Sequence, residues 1–208
     1  VIVSYTRPDP LLESIRGAIR FEDFLASAPV ADGVFSQLSF DHPLYILYSS
    51  GTTGVPKCIV HGAGGTLLQH MKEHALHVDL KPGDRFFYYT TTGWMMWNWL
   101  ASGLASGATL LLYDGSPFHP APDALFNYAQ DERMNVMGVS AKYIDAIAKE
   151  KLAPARTHRL DALTAILSTG SPLAPEGFDY VYRNVKEDVR LSSMSGGTDL
   201  ISCFVLGN

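Results

Sequence analysis

The chain has 208 residues, 47% of them hydrophobic and 18% charged, with a formal net charge of −5. That length supports one sizeable core or two small ones, and the composition excludes a disordered segment. The acidic balance leaves no basic stripe for nucleic acid, and no apolar run approaches the roughly 20 residues that span a bilayer.

Residues 1–40 read as an irregular edge segment, with loops at 7–10 and 27–33 around a short amphipathic helix near 21–25. The opening VIVSYTRPDP has no initiator methionine and no charged leader before an apolar run. It is expected to be the start of an interior piece rather than a signal peptide. From 41 onward, runs of branched and aromatic residues alternate with helical patterns, the signature of βαβ units.

A strand at 45–48 opens this series, followed by a glycine- and hydroxyl-rich loop and a helix over 66–77. Lys81-Pro82-Gly83-Asp84 is a turn into a strand at 86–90. Next come a helix at 96–106, a strand at 109–113, a helix at 122–132 and a strand at 136–139. A helix at 141–151, a strand at 163–168, a helix at 175–185 and a strand at 189–193 complete it. Pro122 and Pro175 suit a first helical turn, and Ser140 suits an N-cap. The expectation is one α/β unit over 41–208, a mostly parallel sheet flanked by helices.

Cys58 and Cys203 lie far apart, with neither a CxxC nor a Cys/His metal spacing. That usage points to a reducing compartment, hence a cytoplasmic protein. The final LISCFVLGN stops just after an apolar run, where a strand would be expected to continue into further structure.

Three segments carry chemistry. In YSSGTTGVPK, 48–57, Gly51 and Gly54 let backbone N–H groups converge on an anion. Ser49, Ser50, Thr52 and Thr53 add hydroxyl donors, Lys57 adds a mobile charge, and Pro56 stiffens the backbone before it. The spacing is not that of a Walker loop, because Val55-Pro56 separates Gly54 from the lysine and Cys58 replaces the Ser/Thr. The other reading is a surface loop, but four hydroxyls, two glycines and a lysine within nine residues favour phosphate. Taken alone, STGSPLAPEGF at 168–178 is an ordinary strand-to-helix turn on a sheet edge where ligands bind. SSMSGGTDL at 192–200 reads, by itself, as a turn.

Together, in this order, these segments resemble the adenylate-forming (AMP-binding) superfamily of acyl-CoA synthetases, peptide-synthetase adenylation domains and luciferases. The resemblance implies an ATP-dependent activation of a carboxylic acid, with coenzyme A as second substrate. It assigns Ser49, Ser50, Gly51, Thr52, Thr53, Gly54 and Lys57 to the β- and γ-phosphates. It lays Gly170, Ser171 and Pro172 against adenine, gives Thr198 to the α-phosphate and gives Asp199 to Mg²⁺. The family commonly has Gly at position 58 and Glu at 199, so Cys58 and Asp199 are departures. Aspartate is one methylene shorter, which would make direct coordination water-mediated.

Gly93-Trp94 matches the family's segment at the mouth of the acyl pocket, which would then be lined by Trp94, Met95, Met96 and Thr169. Trp97 and Trp99, at helical spacing, are expected in the core. Acetyl-type members carry a tryptophan where Gly196 stands, so Gly196 is expected to open the pocket to a longer acid. From about residue 19 onward the chain is most similar to the acetoacetyl-CoA synthetase branch, which implies acetoacetate. Acetyl- or propionyl-CoA synthesis is the alternative within that class. A peptide-synthetase domain would need an acidic residue within 93–98, and none is there. A non-catalytic nucleotide-binding module is the rival from another class, favoured by Cys58 and Asp199.

The resemblance also implies a ribose-binding aspartate, an arginine and a lysine on a small C-terminal domain. All lie downstream of the Thr-Glu motif, so the chain is expected to be a fragment of the large N-terminal domain, inactive by itself.

Overall fold

In the computed structural model, residues 2–3, 12–27, 33–49 and 54–207 are described. The chain divides into two compact units, 1–38 and 39–208. In the first, β1 (Ile2–Val3) pairs parallel with β2 (Ile19–Arg20), and α1 (Phe21–Ala26) follows.

The second unit opens with β3 (Pro43–Ser49) and β4 (Lys57–Gly62), which pair antiparallel, Ser49 opposite Lys57 and Tyr45 opposite His61. The strand-loop-helix expected here is therefore a hairpin, and α2 (Ala63–Glu73) starts only after its second strand. Lys57 is a strand residue, not a loop residue.

A five-stranded parallel sheet follows. Its strands are β5 (Arg85–Tyr88), β6 (Thr109–Leu111), β7 (Val136–Ser140), β8 (Ala165–Thr169) and β9 (Arg190–Ser193), in the order β6-β5-β7-β8-β9. Connecting them are α3 (Met95–Ala101), α4 (Ala124–Asp131), α5 (Ala141–Lys149), α6 (Pro154–Thr157) and α7 (Pro175–Asn184). A short antiparallel pair ends the chain, β10 (Ser195–Gly197) with β11 (Ser202–Val205).

The sheet sorts its residues by alternation, as a strand's period of two requires. Phe87, Met137, Val139 and Ile166 face a cluster with Leu125 and Phe126 of α4, Ile144 and Ile147 of α5 and Val181 of α7. Phe86, Tyr88, Val136, Ala165 and Leu167 face the opposite cluster, with Met96, Trp99 and Leu100 of α3. Both faces are covered, as parallel sheets demand.

Ser140 caps α5 by accepting from the Tyr143 amide at 3.1 Å, and Pro175 opens α7. Pro122 lies ahead of its helix, because Asp123 occupies the cap of α4. The helix expected over 66–77 ends at Glu73 and widens into a π-turn at His74–Val78, closed by Asp79 at φ 58°.

Candidate functional site

The carboxyl ends of the parallel strands set the site, since loops leaving them converge on one edge. Behind β8 the chain turns sharply at Gly170, whose φ of +89° is a conformation that side chains disfavour. The turn is held from β9: the Ser193 hydroxyl accepts from the Leu173 amide at 3.1 Å, and the Thr169 hydroxyl donates to the Met194 carbonyl at 3.3 Å. Behind β5 the chain reaches Trp94, the N-cap of α3, whose ring lies 6.3 Å from that of Tyr88.

A cavity of about 360 Å³ opens between these segments. Trp94, Met95 and Met96 form one wall, Thr169, Gly170, Ser171 and Pro172 a second, and Gly196, Gly197 and Thr198 a third. Nine residues singled out by the sequence thus border one space. Ser193, Met194, Ser195, Ser202 and Cys203 border it as well and were not anticipated. Burial, and then the neighbouring Glu73, push the Cys203 thiol up to about 12, so it stays a neutral weak donor there.

The loop between β3 and β4, expected to bind phosphate, is described only at its two ends. Ser50, Gly51, Thr52 and Thr53 lie outside the described residues. Ser49, Gly54 and Lys57 are described, and none of them borders the cavity. Lys57, Ile59 and His61 share one face of β4 by strand alternation. On that face His61 Nε2 lies 2.9 Å from the Thr198 carbonyl oxygen.

Thr198 and Asp199 sit in the turn between β10 and β11, where the Ile201 amide donates to the Thr198 carbonyl at 3.2 Å. Asp199 is exposed. Among the described residues no group of three or more His, Cys, Asp or Glu could hold a metal ion. One exposed carboxylate still fits magnesium, which is usually held by one or two carboxylates together with substrate phosphates and water.

Gly196 borders the cavity and is also closely packed against β11. A Cβ built on it would stand 2.1 Å from the Ser202 carbonyl oxygen and 2.6 Å from the Cys203 Cα. The β11 backbone thus stands where the first carbon of a side chain would go, so any side chain at 196 requires the β10–β11 pair to shift. Trp99 is fully buried as expected, and half-buried Trp97 borders a separate groove beside Tyr89 and Tyr113. Among the described residues no helix is long and apolar enough to cross a membrane.

The profile of the AMP-binding enzyme family matches residues 11–206. An acetoacetyl-coenzyme A synthetase of Rhizobium meliloti (strain 1021) is 61% identical across 100% of this chain and 32% of its own length. The malonamoyl-CoA synthetase vrtB of Penicillium aethiopicum is 48% identical over 89% of this chain and 28% of its own. The solved structure of acetoacetyl-CoA synthetase from Streptomyces lividans superposes with a TM-score of 0.85 at 45% identity, covering 99% of this chain and 32% of that one. The chain therefore spans about a third of the length of the relatives it matches.

Proposed function

The chain belongs to the AMP-binding enzyme family, and we propose that the protein carrying it is an ATP-dependent, AMP-forming ligase joining a short carboxylic acid to coenzyme A. Acetoacetate is the acid that fits best. The observation that carries the reading is the single cavity bordered by Trp94–Met96, Thr169–Pro172 and Gly196–Thr198. These are the segments that the resemblance gives to the acid, adenine and the α-phosphate.

In the first half-reaction a carboxylate oxygen attacks the α-phosphorus of ATP, and pyrophosphate leaves with the electrons of the broken P–O bond. In the second, the coenzyme A sulfur attacks the acyl carbon and AMP departs. The protein's work is positioning and charge stabilisation at phosphorus. Ser49 to Gly54 and Lys57 hold the β- and γ-phosphates, Thr198 the α-phosphate, and Gly170 to Pro172 the adenine. Asp199 would hold Mg²⁺, which when bound neutralises charge on the phosphate oxygens. The acyl end meets Met95, Met96 and Thr169.

Acetoacetyl and malonamoyl groups have nearly the same shape, each with a second carbonyl two carbons from the first. A short 3-carbonyl acid is therefore the substrate class, and a cytoplasmic location suits such soluble substrates. The test is pyrophosphate release by the full-length protein with acetate, propionate, acetoacetate, malonamate and longer acids. The highest kcat/KM is expected for acetoacetate. Preference for acetate would overturn the acid assignment, and ATP binding with no acid-dependent release would turn the reading to a non-catalytic nucleotide module.

A further inference from the structure

Glu73, the last residue of α2, is fully buried. Burying a carboxylate is costly unless donors satisfy it, and here donors come from the helix behind one side of the cavity and from the strand that borders another. Its Oε2 accepts from the Trp99 indole N–H at 2.8 Å. Its Oε1 accepts from the Ser202 hydroxyl and from the Cys203 amide, the latter at 3.3 Å. Gln69, one turn earlier on the helix, donates both to Glu73 Oε1 at 3.0 Å and to the Ser202 hydroxyl at 2.9 Å.

Trp99 belongs to α3, which presents Met95 and Met96 to the cavity, while Ser202 and Cys203 begin β11, which closes on Gly196 and Gly197. His70 spans the same two elements, with Nδ1 2.8 Å from the Ser102 hydroxyl after α3 and Nε2 2.5 Å from the Ile201 carbonyl before β11. Ile201 is buried at φ +50°, an outlying conformation for a β-branched residue, which persists only where its surroundings impose it.

Resting on the functional reading above, we propose that Glu73 is the positioning residue that sets the width of the acyl pocket. It holds the Met95–Met96 wall through Trp99 and the Gly196–Thr198 wall through Ser202 and Cys203. One carboxylate thereby fixes two walls whose separation decides which acids fit. A buried staple serving the fold alone would lower stability and activity toward every acid in equal proportion. A spacer of two walls changes the ratio between acids.

Two variants of the full-length protein each release one arm. Glu73→Gln places an amide N–H₂ against the Cys203 N–H or the indole, because an amide has one acceptor oxygen where a carboxylate has two. Trp99→Phe removes the indole donor, together with part of the ring packed against His74, Phe86 and Tyr88. In both, the ratio of kcat/KM for acetoacetate to that for 3-oxohexanoate is expected to fall by about tenfold, the scale of a methylene's discrimination in an apolar pocket. For Trp99→Phe, which acts on the Met95–Met96 wall and not on the wall that carries Thr198, KM for ATP is expected to change by less than about twofold. An unchanged acid ratio in both variants, whatever happens to total activity or melting temperature, overturns the spacer role and leaves the ligase reading standing. Absence of acid-dependent pyrophosphate release in the wild-type protein overturns the ligase reading, and this inference with it.

Discussion

His61 Nε2 donates to the Thr198 carbonyl oxygen across 2.9 Å, joining the strand that leaves the β3–β4 loop to the turn that carries Thr198 and Asp199. A carbonyl only accepts, so the proton sits on Nε2. The contact ties two segments 137 residues apart in sequence, both assigned to one triphosphate. His61→Leu removes the donor, and kcat/KM for ATP is expected to fall by up to about tenfold, the worth of one net hydrogen bond. His61→Gln keeps a donor and should recover part of the loss. Equal rates for wild type and His61→Leu in a pyrophosphate-release assay would remove His61 from the site.

Lys57 stands at the first position of β4, exposed and opposite Ser49. Replacing it with methionine keeps the stem and deletes the charge. A charge-assisted contact to phosphate is worth about 1.5–3 kcal/mol, so ATP affinity is expected to fall by roughly 10–100-fold. Stability should stay within about 0.5 kcal/mol, because the side chain is not packed. Titrating ATP against wild type and Lys57→Met, with thermal melts of both, separates these effects.

The parallel sheet was legible because each buried strand is a short apolar run set between helical patterns, and the turn after β8 followed from Thr169-Gly170-Ser171-Pro172 at a strand end. The β3–β4 hairpin was not. Lys57–Gly62 offers only Ile59 and Val60 as an apolar pair, and its strand character comes from long-range pairing with Tyr45–Ser49 rather than from local propensity. Glu73 was missed for a related reason. Its partners Trp99 and Ser202 lie 26 and 129 residues away, so nothing local marks it. The one available signal was Gln69, His70 and Glu73 at helical spacing, polar groups on a face that turns inward. For Gly196 the sequence showed the missing side chain but not its neighbour, because the β11 backbone that stands where a Cβ would go is brought there by long-range pairing.

If the protein is the proposed ligase, Gly196→Trp therefore should not shift its preference to acetate. The first added carbon already stands 2.1 Å from the Ser202 carbonyl oxygen, a backbone atom that cannot swing aside as a side chain can. The β10–β11 pair would have to open, at a cost of about 1–3 kcal/mol or more. The expected outcome is a lower melting temperature and reduced activity with every acid in the panel, and Gly196→Ala should show the same direction. A stable Gly196→Trp protein with enhanced acetate turnover would contradict the hairpin argument.

His74 follows Glu73 and is fully buried, with neither ring nitrogen hydrogen-bonded among the described residues. Its ring meets Trp99 edge-on at 4.5 Å and Phe86 at 5.6 Å. Burial, and then the nearby His70, push its pKa down from 6.5 to about 3. Burial also lowers that of His70. Between about pH 6.5 and 3 the unfolded chain binds a proton that folded His74 refuses, so stability present at neutral pH is lost as the pH falls through that window. Each pH unit costs about 1.4 kcal/mol once the window is entered, or about 2 kcal/mol by pH 5. Urea unfolding at pH 7.5 and pH 5 measures the loss, and His74→Leu, which has no proton to take up, should lose less by about that amount. The same drop in wild type and variant would mean that His74 protonates in the folded state, and that the aromatic box around it opens at mild acidity.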